Sequence, residues 1–252
     1  NVTEALNIAI KGLFQPGDGV VTTVLEHNSV LRPLYEEELR GIRLFFVKAD
    51  ACGRPDYAEL ERLLAEEPCI RAVVTTHASN LTGNLVDIDR IGALCARYGK
   101  LYILDAAQTA GVFFFFFEKQ LLDIVCFTGH KSLLGPQGTG GLCVRKGLEL
   151  RTWKSGGSGI QTFSHKHPAV MPVHLEAGTL NAHGIAGLRA GLLFLQETGV
   201  EKRRAHERKL ARKFDEGVCE LPGVRVYGDF STQLRAPVVS LNIGEEASGS
   251  IS

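Results

Sequence analysis

No excess charge of either sign is present: 28 Lys and Arg balance 28 Asp and Glu over 252 residues, for a formal net charge of zero. That balance argues against a chain whose main work is coating nucleic acid or an anionic membrane surface. No apolar run reaches the roughly 20 residues needed to span a bilayer, and no basic segment leading into an apolar stretch marks a secretory leader. An initiator Met is missing too; the chain starts within a pattern, at Asn1, Val2, Thr3 and Glu4, and reads as a piece of a longer protein. The six cysteines (Cys52, Cys69, Cys95, Cys126, Cys143 and Cys219) form no C-x-x-C pair, and no His follows them at zinc-finger spacing. Cys126 and Cys143 lie inside apolar segments, and Cys219 is read as a structural thiol, which together predict reduced, structural cysteines and a cytoplasmic protein. Phosphate-loop signatures are absent as well. Lys131 follows His130 at the wrong spacing for a P-loop, and the Gly-rich residues 135–141 lead into an apolar strand rather than a helix.

What is present is ordinary globular composition, 44% hydrophobic and 22% charged, which excludes wholesale disorder. Strand-like stretches at 20–25, 42–47, 70–75, 101–104, 124–127 and 141–144 alternate with helical spacing at 4–14, 56–67 and 87–98. Asp56 and Glu59 have the spacing of a capping box. The alternation predicts an α/β fold with a mostly parallel central sheet flanked by helices. From about residue 184 the character changes. Two helices at 184–198 and 200–218 precede strands at 224–227 and 237–243, so the reading divides the chain into a large unit, 1–195, and the start of a smaller C-terminal α+β unit, 196–252. The basic run 202–213 reads as a solvated helix face rather than a nucleic-acid contact. His165 and His167 read as loop residues rather than metal ligands. Five consecutive phenylalanines, 113–117, fit neither helical nor strand amphipathicity.

Open α/β sheets bind ligands where loops leave the carboxyl ends of the strands. Polar residues follow four of the predicted strands: Glu26, His27 and Asn28; Thr76, His77, Ser79 and Asn80; Asp105 and Gln108; Thr128, His130 and Lys131. One such ending is unremarkable, but four together point to one pocket. A lysine, an aspartate and a histidine from neighbouring strands suit pyridoxal phosphate. That cofactor needs an amine for a Schiff base, a carboxylate at its ring nitrogen and a group covering the ring. Its phosphate needs a helix N-terminus and a hydroxyl, which Thr3, read as the residue opening the first helix, supplies.

Six segments carry a family resemblance: residues 2–7, 26–29, 77–80, 105–108, 128–131 and 176–181. In this order they resemble the class V aminotransferase family of fold-type I pyridoxal-phosphate enzymes, and within it the cysteine desulfurase and selenocysteine lyase group. The resemblance covers essentially the whole chain. It implies that Lys131 forms the Schiff base, that Asp105 pairs with the pyridine nitrogen and that Gln108 hydrogen-bonds the ring hydroxyl. It places Asn80 near the same oxygen or the substrate and stacks His27 on the ring face. Thr3, Thr128 and His130 would hold the phosphate. Gly178 and Thr179 would reach into a partner's site, which implies a homodimer.

Two departures accompany it. The family's substrate-carboxylate arginine and, in desulfurases, its sulfur-accepting cysteine would both lie beyond residue 252. The phenylalanine run stands where the family has a mixed segment with Pro and Asp. The expected function is therefore an enzyme acting on an amino acid through pyridoxal phosphate, with conversion of cysteine to alanine and persulfide sulfur as the reaction and a sulfur-acceptor protein as a further partner; Lys131, His27 and Asp105 are its catalytic residues. The alternatives are an aminotransferase, an epimerase or a selenocysteine lyase of the same family, or a non-catalytic dimeric scaffold. No metal, nucleic acid or membrane is expected to take part.

Overall fold

A computed structural model describes residues 1–244; residues 245–252, counted above in the second unit, lie outside the described residues. The chain opens with α1 (Val2–Leu13). Its cap is Asn1, whose side-chain oxygen accepts the Glu4 N–H at 3.1 Å. Thr3 is therefore a first-turn residue rather than the residue opening the helix. Asn and Thr both favour the cap position, and here the earlier one takes it.

Five strands follow in parallel: β1 (Gly19–Thr23), β2 (Arg43–Val47), β3 (Ile70–Thr76), β4 (Leu101–Asp105) and β5 (Ile124–Thr128). An antiparallel strand, β6 (Gly140–Val144), closes the sheet in the order β2-β1-β3-β4-β5-β6. The inner strands are buried almost end to end, as a sheet covered on both faces requires. Successive residues serve opposite faces. Val20, Val74, Ile103 and Cys126 join Leu6, Ile10 and Leu34 in one core. Val21, Val73, Tyr102, Leu104 and Val125 join Leu60, Leu64 and Ile91 in the other. These cores are covered by α1 and α2 (Asn28–Glu38) on the first face and by α3 (Tyr57–Glu66) and α4 (Ile88–Arg97) on the second.

The expected capping box of α3 is half made. Asp56 Oδ1 accepts the N–H groups of Ala58 and Glu59, each at 3.0 Å. Glu59 does not return the bond; its carboxylate takes the Lys48 N–H at 2.8 Å instead and fastens the helix to the end of β2. The phenylalanine run resolves into an extended path with period two. Phe113, Phe115 and Phe117 are half-buried, whereas Phe114 and Phe116 are exposed. Phe113 and Phe115 each stand 5.9 Å from the buried His77 ring, the first tilted at 59° and the second edge-on at 82°.

Two helices, α5 (Ala182–Thr198) and α6 (Val200–Cys219), meet at Gly199, whose φ of +83° suits glycine. The expected boundary after residue 195 thus falls in the last turn of α5. No residue of α6 is buried, so its basic run is a solvated face. A separate antiparallel pair, β7 (Val224–Tyr227) and β8 (Ser240–Ile243), follows. It is tied to the first unit by Arg54 on Asp229 at 2.6 Å and by Arg235, whose guanidinium donates to the Thr82 and Val238 carbonyls at 2.8 and 2.7 Å. All six cysteines are free. Cys95 and Cys126 are buried, but Cys143 is exposed because β6 is an edge strand, and Cys219 is exposed at the end of α6. Neither is the structural thiol expected of it. Among the described residues, no helix is long and apolar enough to cross a membrane.

The packing of α4 makes a direct prediction. A Cβ on Gly92 would stand 2.0 Å from the Gln120 carbonyl oxygen, whereas one on Gly217 of α6 meets nothing within 4 Å. Gly92→Ala is expected to destabilise the fold by about 1–3 kcal/mol through overpacking, while Gly217→Ala stabilises it by up to about 1 kcal/mol through helix propensity. Urea unfolding of the two variants checks both signs.

Candidate active site

Parallel pairing carries the carboxyl ends of β1, β3, β4 and β5 to one edge of the sheet, where the loops form a cavity of about 260 Å³. Thr3, His27, Asn80, Asp105, Gln108, His130 and Lys131 all line it, so seven of the expected site residues converge. A hollow at the opposite end of the sheet is larger, about 670 Å³, but its buried acid, Asp123, is already paired with Arg145.

Asp105 closes β4 in register with Thr76 of β3 and Cys126 of β5 and is 2% exposed. Its Oδ1 accepts the Ala107 N–H at 2.9 Å, while Oδ2 receives no donor from the described residues. Burial pushes the carboxyl up to about 6; the Ala107 N–H and the Lys131 ammonium pull against that rise. Lys131 follows β5 on a tight turn. A Cβ on Gly129 would meet Thr139 Oγ1 at 2.1 Å, so the turn is closed around a glycine and the lysine's place is fixed. Burial lowers the Lys131 ammonium from its ordinary value, with the Asp105 charge opposing. A lowered value favours the free amine, the form that attacks a carbonyl.

His27 is the N-cap of α2. Its Nδ1 accepts the Ser29 N–H at 3.0 Å, which leaves the ring proton on Nε2. Burial lowers its pKa, and the Lys131 and Arg32 charges add to the effect, so the ring is neutral. Thr3 and Ser29 share a hydroxyl–hydroxyl bond of 2.8 Å at the first turn of α1, whose Val2 and Thr3 N–H groups have no acceptor within the helix.

Three expected residues stand apart. Thr128 is buried behind the cavity wall with its hydroxyl 2.9 Å from His130 Nδ1, so it acts on the pocket through His130. Gly178 and Thr179, expected at a partner's site, lie on an exposed loop away from this chain's cavity, and the Gly178 N–H donates to the Gly157 carbonyl at 2.8 Å. The loop folds on itself there, which uses up the donor. Residues without an assigned role also enter the site. Ser29 bridges Thr3 and His27, and Glu26 sends its carboxyl inward to the end of β3. The signal for both was their place beside His27 in a polar strand ending.

The buried acid predicts a pH dependence. A carboxyl whose folded pKa exceeds its unfolded value of 3.8 contributes stability that is complete below that value and is lost as pH rises through about 6. Asp105→Asn keeps an oxygen for the Ala107 N–H and removes the charge. In the unliganded protein its melting temperature should therefore gain on the parent's by a few degrees between acid and neutral pH, as parallel thermal melts would record.

The comparisons with known proteins agree with this geometry. The family model for aminotransferase class-V matches residues 1–250. The chain is 34% identical over 234 residues to a probable cysteine desulfurase of Methanothermobacter thermautotrophicus, covering 91% of this chain and 58% of that one. The apo structure of a cysteine desulfurase from Thermococcus onnurineus NA1 superposes with a TM-score of 0.88 at 31% identity, over 98% of this chain and 62% of that one. A C-DES variant with glycine covalently linked to its PLP cofactor superposes with a TM-score of 0.80 at 26% identity, over 96% and 66%. The chain spans about three-fifths of the length of the first two. Those neighbours share the α/β fold with a mostly parallel central sheet, and the family match takes in every strand end that lines the cavity: the chain belongs to the class V aminotransferase family.

Proposed function

We propose that this chain carries the pyridoxal-phosphate site of an enzyme acting on an amino acid, and that the reaction is the desulfuration of L-cysteine to L-alanine. The observation that carries the reading is the buried Asp105, with one oxygen unclaimed, lining the same cavity as the half-buried Lys131. A flat cationic ring with an aldehyde on one side and a phosphate on another fits this donor set. Asp105 Oδ2 would accept from the ring nitrogen, Lys131 Nζ would hold the aldehyde carbon, and neutral His27 would cover the ring. Gln108 and Asn80 would serve the ring hydroxyl. Thr3, the free N–H groups of α1 and the His130–Thr128 pair would serve the phosphate. The relatives named cysteine desulfurase support the choice of substrate.

When bound, pyridoxal phosphate supplies an electron sink that loosens the bonds around an amino acid's α-carbon. The residues of this chain supply the rest. Asp105 keeps a proton on the ring nitrogen, because a carboxylate stabilises the cationic form. Lys131 Nζ would remove and return protons at the α-carbon, and its lowered proton affinity suits it to both tasks. Neutral His27 would offer its Nε2–H there as a hydrogen-bond donor. In desulfuration the C–S bond of cysteine breaks, the sulfur passes to an acceptor thiol as persulfide, and the carbon takes a proton to give alanine. No cysteine lines the cavity among the described residues, so the acceptor thiol belongs to another segment or to an acceptor protein.

The same reading takes the chain as one half of a homodimer in which the exposed Thr179, with Gly178 shaping its loop, meets the partner's phosphate. It also takes residues 1–195 and 196–252 as two domains, a division supported by the separate β7–β8 sheet.

Incubation with pyridoxal phosphate should produce a visible absorbance band, and borohydride should fix the cofactor to Lys131, read by mass analysis of the labelled peptide. Lys131→Ala should lose both the band and the label while keeping its fold by circular dichroism. Alanine released from cysteine selects desulfuration. Amino-group transfer, racemisation or release from selenocysteine alone would select the other reactions of the family, and cofactor binding without turnover of any amino acid would select the scaffold.

A further inference from the structure

Glu26 is the titratable group at this site that the reaction leaves unused. The residue keeps some contact with solvent, but its carboxyl is turned inward onto two buried threonines. The Thr23 hydroxyl lies 2.7 Å from Oε1 and the Thr76 N–H donates to Oε2 at 2.7 Å, so one group bridges the ends of β1 and β3. Thr76 is the register partner of Asp105, which places the two acids at adjoining strand ends. The titratable groups that act on Glu26 from the packed elements are acids: Asp105 of β4 raises it, and the buried phenol of Tyr102, also on β4, feels it in turn. His27, next in sequence, is neutral, and among the described residues no Lys or Arg forms an ion pair with Glu26. Lys131 offers its charge to Asp105. Two carboxylates at adjoining strand ends in a poorly solvated site cannot both ionise cheaply, and the one that lacks a cation gives way.

Resting on the pyridoxal-phosphate reading, we propose that Glu26 is a positioning residue that works as a neutral carboxylic acid, its Oε2 accepting the Thr76 N–H and its Oε1–H donating to Thr23 Oγ1, so that Asp105 is the single anion offered to the ring nitrogen. Thr23 Oγ1 has a lone pair for that proton beside the one that takes the Leu25 N–H at 3.1 Å. Burial pushes the Glu26 carboxyl up to about 8, against the pull of its hydrogen bonds with Thr23 and Thr76, and the Asp105 charge adds to the rise. The same carboxyl holds three site elements together, since it neighbours His27, anchors the strand end that leads to Asn80 and adjoins Asp105. A glutamine has the shape and hydrogen-bonding pattern of the neutral acid, with its carbonyl on Thr76 N–H and its amide on Thr23 Oγ1.

The test compares the parent with Glu26→Gln and Glu26→Ala, with and without pyridoxal phosphate. In the unliganded proteins at neutral pH, infrared difference spectra of parent against Glu26→Gln should show the loss of a protonated-carboxyl C=O stretch that moves in deuterium oxide. The melting temperature of Glu26→Gln should also gain on the parent's as pH rises from 4.5 through about 8, because the proton-linked stability of the acid is lost over that interval. With cofactor, Glu26→Gln should keep the position and pH midpoint of the visible band, whereas Glu26→Ala, deprived of the Thr76 bond, should bind about tenfold more weakly. Overturning results are a carboxylate stretch in place of the acid stretch, or a Glu26→Gln band whose pH midpoint moves as far as that of Asp105→Asn. If no protein binds the cofactor, the functional reading fails, while the infrared and melting data on the unliganded chain still decide the protonation of Glu26.

Discussion

Parallel hydrogen bonding between β1, β3, β4 and β5 is the constraint on which the site depends. Parallel neighbours must each return through a crossover, so every strand of the set ends on the same edge and every following loop opens there. Residues 27, 80, 105 and 131 are far apart in the chain, yet each needs only to end its own strand or follow it by a few residues to reach one cavity. The antiparallel β6 does not contribute such an end. Its work is to seal the edge beside β5 and bring Thr139 against Gly129, which fixes the turn that carries Lys131.

The edge collects groups that a stability-driven fold would avoid. Asp105 and the carboxyl of Glu26 are held inside, Lys131 is drawn halfway in, and each is moved from its ordinary proton affinity by lost solvation more than by any partner. The compensation is local and made of neutral partners: the Ala107 N–H for Asp105, the Thr23 hydroxyl and the Thr76 N–H for Glu26, and the Ser29 N–H for His27. Backbone and hydroxyl partners hold these groups in place without cancelling their reactivity, whereas an arginine at the same distance would lock the acid in its charged form.

Much of this was legible in the sequence because an apolar run ending in polar residues is a local signal. The strands, the four polar endings and the shared pocket follow from it. What escaped depends on contacts between distant segments. Glu26 looks like any strand-end acid until the Thr76 N–H, fifty residues later, closes on it. Cys143 has the apolar neighbours of a buried residue, but only the sheet order makes its strand an edge. Asn1 and Thr3 are both good caps by type, and a helix that starts two residues earlier chooses between them. The bond that claims the Gly178 N–H is equally remote, its acceptor carbonyl on Gly157 lying twenty-one residues upstream in an irregular loop.

The phenylalanine run carries its own consequence for folding. With five identical rings, sliding the segment by two residues would still leave aromatic side chains facing inward and outward in alternation, so side-chain chemistry does not choose the register. The choice falls to the ends: the Phe113 N–H on the Thr109 carbonyl at one, and at the other Gln120, which accepts the Phe116 N–H at 2.6 Å while donating to Asp89 of α4 at 3.0 Å. The wall around His77 is thus set like a bead string pulled straight between two knots, and one of them, Thr109, also holds the imidazole, its hydroxyl 2.9 Å from Nδ1.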